Sequence, residues 1–152
     1  MNDSGLLQTL ASYLPPVVIR QLILNSTVTK QPFMETVPAA VIYADIAGFT
    51  ALTEELAQQG MVGSEKLTQI LNNYFEQLIQ IIDQFDGEVV KFAGDACLAI
   101  WPINDTQSLK NAALLAAKCA LLIQMELEAY QRDRLHPFLL KIGVGAGSID
   151  IN

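Results

Sequence analysis

An α+β fold is what the sequence predicts, and three observations carry the prediction. Ala39–Ile46 is a short, nearly continuous apolar run, the signature of a buried central strand. Leu67, Ile70, Leu71, Tyr74, Phe75, Leu78 and Ile82 recur at the i, i+3, i+4, i+7 spacing of an amphipathic helix. Two apolar segments then flank Ala93-Gly94-Asp95 as a hairpin would. With the segments that follow, the order reads strand–helix–strand–strand–helix–strand, a ferredoxin-like βαββαβ core.

Each element has a local reason. Residues 1–35 form a lead-in: a helical pattern through Leu6, Leu10 and Tyr13, a stop at Pro15-Pro16, and apolar Val17–Leu24. The domain proper is expected over 36–152. Its first strand ends in Asp45-Ile46-Ala47-Gly48, and Phe49–Gln58 reads as a short helix. The long amphipathic helix is expected to start at Ser64, a residue type that caps well. Asp86-Gly87 ends it and opens the hairpin of Glu88–Phe92 and Ala96–Trp101. Asp105 or Thr106 is expected to cap an Ala- and Leu-rich helix through Tyr130, and Phe138–Gly145 reads as the last strand.

Composition narrows the function classes. The formal charge is −7, from 9 Lys plus Arg against 16 Asp plus Glu. Such an acidic chain without a basic cluster is not built for nucleic acid, whose phosphates demand many cationic contacts. A phosphate-bearing ligand would need a cation held by carboxylates. Cys97 and Cys119 match no zinc or redox spacing and read as reduced core thiols. Ala112–Ile123, the most apolar helical stretch, is interrupted by Lys118 and too short to cross a bilayer. The N-terminus lacks the basic region of a signal peptide, so a soluble, cytoplasmic chain without a transmembrane segment is expected.

Two aspartates stand out. Asp45 ends a strand that otherwise looks buried, where a carboxylate is costly unless paired, hydrogen-bonded or on a metal. Asp95 lies at a hairpin tip, where it is either a turn former or a second ligand to the same cation. Gly48-Phe49-Thr50 opens a helix directly after the first strand. Its N–H groups suit a phosphate, and the alternative is an ordinary turn in which Thr50 is a cap.

Asp45-Ile46-Ala47-Gly48-Phe49-Thr50 resembles the first metal motif of class III adenylyl and guanylyl cyclases, and Gly87-Glu88-Val89-Val90-Lys91-Phe92-Ala93-Gly94-Asp95 resembles the second. Leu14-Pro15, Gln31-Pro32-Phe33-Met34, Leu98-Ala99-Ile100-Trp101 and Lys141-Ile142-Gly143-Val144-Gly145-Ala146-Gly147 are similar to the first catalytic domain of the bicarbonate-responsive soluble adenylyl cyclases. The resemblance implies that Asp45, Asp95 and the Ile46 carbonyl hold two Mg²⁺ or Mn²⁺ ions. The Gly48-Phe49-Thr50 backbone would cradle the terminal phosphates of ATP. The implied reaction converts ATP to 3′,5′-cyclic AMP and pyrophosphate. Lys91 has three readings: a purine reader in the opposite site of a dimer, favouring ATP over GTP; a bicarbonate ligand; or a strand lysine facing solvent.

The resemblance also sets an expectation of incompleteness. Family members continue beyond the position of Asn152 with an Asn that orients the ribose, an Arg that stabilises the pentavalent phosphorus, and a second base-reading residue. The chain is therefore expected to lack its last strands, to donate the metal half of a site shared with a second cyclase domain, and to expose an apolar edge. The alternative is a cyclase-like module that binds metal–nucleotide or bicarbonate without turnover. A diguanylate cyclase relative is disfavoured because Ala93-Gly94-Asp95-Ala96-Cys97 does not read Gly-Gly-Asp/Glu-Glu-Phe. His136 reads as a solvated loop residue, Trp101 as core, and the Gly143–Gly147 run not as a dinucleotide fingerprint.

Overall fold

The computed structural model describes residues 3–11, 13–24, 34–103, 107–131 and 139–151. The elements run α1 (Asp3–Ala11), α2 (Pro16–Leu24), β1 (Glu35–Ala47), α3 (Phe49–Ala57), α4 (Met61–Gln84), β2 (Glu88–Ala93), β3 (Ala96–Pro102), α5 (Leu109–Gln131) and β4 (Leu139–Ile151). The four strands form one antiparallel sheet in the order β2-β3-β1-β4. That is the expected ferredoxin-like order, with each crossover helix returning the chain past one intervening strand.

Side-chain alternation along β1 divides the sheet into two faces. Ala40, Ile42, Ala44 and Ile46 point to the helical side, level with Trp101, Ala99 and Cys97 of β3. Tyr74, Leu78, Ile81 and Ile82 of α4 meet them there, as do Ala116, Cys119, Ile123 and Leu127 of α5. Trp101 is 1% exposed, and its indole N–H donates to the Phe85 carbonyl at 2.7 Å, so the largest core side chain keeps its polar atom satisfied. Both cysteines are buried free thiols, as expected.

Val41, Tyr43 and Asp45 point to the opposite face, level with Ile100 and Leu98. Among the described residues, what covers this face lies at its far end. There α2 lies over Val41 and Ile100 through Pro15 and Val17, and the Arg20 guanidinium makes a bidentate pair with Glu88 of β2 at 2.6 and 2.9 Å. Tyr43, nearer the other end, remains 49% exposed.

Several boundaries depart from expectation. Helix α4 starts at Met61, because Gly60 breaks the chain and its carbonyl takes the first helical bond from the Ser64 N–H at 3.1 Å. Ser64 is therefore inside the first turn and not its cap. Ser108 caps α5, accepting from the Asn111 N–H at 3.3 Å, while Asp105 and Thr106 lie outside the described residues. Strand β1 begins at Glu35 despite Pro38, whose carbonyl accepts from the Ile103 N–H at 2.9 Å just past the last β3 rung. The proline nitrogen faces that same side, beyond the ladder, so no strand bond is lost. Strand β4 continues through the glycine run to Ile151 because every residue of it finds a rung on β1. Gln31-Pro32-Phe33, Asp133, His136 and Phe138 lie outside the described residues. Among the described residues no helix is long and apolar enough to cross a membrane.

Candidate active site

The antiparallel pairing of β1 and β3 brings the end of one strand to the start of the other. Their last rung is Ala44↔Cys97, so Asp45 and the residues of the β2–β3 turn share one end of the sheet. Asp95 is in that turn, made possible by Gly94 at φ +66°, a backbone region that glycine enters without steric cost. Both carboxylates are half-buried. Among the described residues neither accepts a hydrogen bond or an ion pair.

The Ile46 side chain is buried on the helical face. Its backbone is oriented by strand alternation. The Pro38 carbonyl points to the β3 side, and carbonyls two, four, six and eight residues on do the same. The Ile46 carbonyl thus points to the β3 side beyond the last rung, toward the turn that holds Asp95.

Helix α3 begins immediately beyond. Gly48 is its N-cap at φ +86°, with no side-chain cap hydrogen bond, and the Leu52 N–H is the first donor to close a helical turn, onto the Gly48 carbonyl at 3.2 Å. The N–H groups of Phe49, Thr50 and Ala51 precede that bond and have no intrahelical acceptor. Thr50 is not a cap: it is inside the helix, and its carbonyl accepts from the Thr53 hydroxyl at 2.9 Å. The Phe49 ring packs against the core, leaving its backbone to face the site.

One cationic residue near this end escaped the sequence reading. Lys141 of β4 stands directly across from Asp45 on the same sheet face and is exposed. The Lys141–Gly147 segment marks a strand, and only the β1–β4 register makes its lysine a neighbour of Asp45. Lys91 is also exposed on this face, across from Leu98 on the outer strand β2. It lines the groove beneath α2 with Val41, Leu98 and Ile100, apart from the carboxylate end.

Tyr74 of α4 is part of the core on the helical face, 1% exposed. Burial, then Cys97, Asp45 and Asp95, raise its phenol well above the ordinary tyrosine value. Burial likewise pushes the Cys97 thiol up to about 12. Among the described residues no cluster of three or more His, Cys, Asp or Glu side chains forms a metal cage. The donor set at the sheet end is two carboxylates and a carbonyl, hard oxygens that suit a cation taking its remaining ligands from water and phosphate.

Comparison with known proteins bears on this arrangement. Residues 31–152 match the family model described as the adenylate and guanylate cyclase catalytic domain. Human adenylate cyclase type 10 is 32% identical over 144 residues, covering 93% of this chain and 9% of its own length. The structure is similar to that of the adenylyl cyclase CyaB from P. aeruginosa, with a TM-score of 0.67 and 25% identity over 80% of this chain and 61% of that one. It is also similar to a bacterial light-regulated adenylyl cyclase, with a TM-score of 0.71 and 25% identity over 97% of this chain and 40% of that one. The chain thus spans about a tenth of the human relative and three-fifths of the CyaB structure.

Proposed function

We propose that this chain, which belongs to the adenylate and guanylate cyclase catalytic domain family, contributes the metal-holding half of a site that converts ATP to 3′,5′-cyclic AMP and pyrophosphate. The observation that carries the proposal is the strand register. It brings Asp45, the Ile46 carbonyl and the Asp95 turn to one end of the sheet, beside the open N-terminus of α3.

In this reading Asp45, Asp95 and the Ile46 carbonyl hold two Mg²⁺ or Mn²⁺ ions. Bound there, the cations neutralise phosphate charge and lower the pKa of the ribose 3′-hydroxyl. The chain's own part is to bind and orient. The N–H groups of Gly48, Phe49 and Thr50 receive the terminal phosphates at the positive end of α3. Lys141, across from Asp45, supplies a fixed positive charge on the same face and balances phosphate charge that two carboxylates alone would repel. The reaction forms a bond from the 3′-oxygen to the α-phosphorus, with the hydroxyl proton passing to solvent, and breaks the bond from that phosphorus to the bridging oxygen, which leaves with its electron pair in pyrophosphate. Groups that orient the ribose, read the base and stabilise the pentavalent phosphorus, an Asn and an Arg among them, come from a second cyclase domain.

Lys91 supports a second reading. Its groove lies apart from the carboxylates, which suits a base-reading role in the opposite site of a dimer or the binding of an anion such as bicarbonate. A module that binds metal–nucleotide or bicarbonate without turnover would use the same residues.

The test is cyclic nucleotide production from ATP or GTP with Mn²⁺, by the chain alone and mixed with a second cyclase domain. The expected result is cyclic AMP from the mixture and a loss of at least roughly 100-fold in Asp45→Ala, the equivalent of about 2.7 kcal/mol of transition-state stabilisation. Metal–nucleotide binding without product in any mixture would favour the non-catalytic module.

A further inference from the structure

Helix α2 closes the far end of the open sheet face, and its apolar hold on that face is slight. At 9 residues it is shorter than a helix needs to be to persist in water unaided, so docking maintains its shape. The docked side is narrow. Val17 is buried toward the sheet, whereas Val18, Leu22 and Ile23 are exposed. The fit beneath is loose. A groove of about 430 Å³ lies between Val17 and Val18 of α2 and Val41, Leu98 and Ile100 of the sheet. Another, of about 700 Å³, runs between the Leu14-Pro15 turn and Val89 of β2. Atoms across such gaps forfeit the dispersion contacts that hold a packed interior together.

A well-formed polar contact offsets this weak fit. The Arg20 guanidinium donates to both Glu88 oxygens, at 2.6 and 2.9 Å. The Glu88 side chain is 15% exposed and that of Arg20 48%, so the pair is drawn partly out of water yet stays within reach of salt.

We infer that α2 is an ion-pinned strap: the Arg20–Glu88 pair fastens it across Val41, Leu98 and Ile100, and breaking the pair lifts it while the rest of the domain stays folded. The inference is independent of the metal-holding role proposed above, because the strap lies at the opposite end of the face from the two aspartates. Lifting the strap bares apolar surface. Ile100 is buried at this end, and its partner on β1 is Val41, two residues before the exposed Tyr43. The length of sheet face open to another body therefore changes with the state of one ion pair. A shallow apolar contact and a charge pair make a balance that either side can tip, as a two-state element requires.

Amide hydrogen exchange of the full chain, followed separately in α2 and α5, tests this. In the parent, α2 is expected to exchange about threefold faster or more in about 1 M salt, where screening acts over about 3 Å, than at low salt, with α5 unchanged. Glu88→Gln is expected to speed α2 exchange at low salt by roughly tenfold or more, again with α5 unchanged. A smaller change in either experiment, or one that α5 shares, would overturn the inference. Should Glu88→Gln fail to fold, the salt response of the parent decides alone.

Discussion

Lys141 and Asp45 occupy one rung of the β1–β4 ladder, which makes the lysine a test of charge at the proposed phosphate site. In the mixed-domain assay, Lys141→Met is expected to raise the ATP concentration for half-maximal rate about tenfold, equivalent to about 1.4 kcal/mol. The effect should shrink as salt screens the pair. The buried thiols give a second prediction, of stability against pH. Burial raises Cys97 and Cys119 from an ordinary value near 9.0 to about 12. The unfolded chain therefore releases these protons first, and their contribution, complete below pH 9.0, is lost as pH rises toward about 12. Denaturant midpoints should fall more steeply across this window in the parent than in a Cys97→Ala/Cys119→Ala variant, by at most about 1.4 kcal/mol per pH unit per thiol. At this scale the sequence was legible where chemistry is local. Asp45 and Asp95 stand out because a carboxylate next to an apolar strand needs a reason. Lys141 does not, since a lysine in an edge strand is ordinary until register brings it to Asp45.

Helices α3 and α4 cross closely at Gly63, which is buried where any Cβ would run into the Leu56 carbonyl. Backbone cannot step aside as a flexible side chain can, so Gly63→Ala must push the helices apart. The expected cost is about 1–3 kcal/mol, read as a melting temperature lower by roughly 2–4 °C per kcal/mol. Because α3 also presents its N-terminus to the proposed site, the variant should weaken nucleotide binding beyond what its lost stability explains. Element types and their order were readable from periodicity alone, and their ends were not. The Ser64 cap was displaced by Gly60, which interrupts the chain four residues before Ser64 and takes the first helical bond on its carbonyl. Strand β4 outran its expected end because glycines look like punctuation in a sequence, whereas a central partner strand pairs them as readily as any residue.

Over the whole molecule, a good deal of apolar surface faces outward. Leu114, Leu121 and Met125 make an exposed stripe along α5, and Leu6, Leu7 and Leu10 of α1 are exposed as well. The net charge of −7 opposes association, and salt removes that opposition. Sedimentation is therefore expected to show self-association that grows with protein concentration and, against the usual behaviour of charge-driven contacts, with added salt. A single monomeric boundary under both conditions would contradict this. The fold class followed from the order of the elements and from the alternation within them. The faces of the sheet, by contrast, become assignable only once all 13 residues of β1 find partners on β4. That ladder also limits how such a chain can change. Losing or gaining one residue in β1 ahead of Asp45 would turn its carboxylate into the core and the Ile46 side chain out to the ligand, although composition and hydropathy would hardly alter. A change of two residues would restore the sides. The strand behaves as a reading frame with a period of two, in which a frameshift scrambles inside and outside rather than codons.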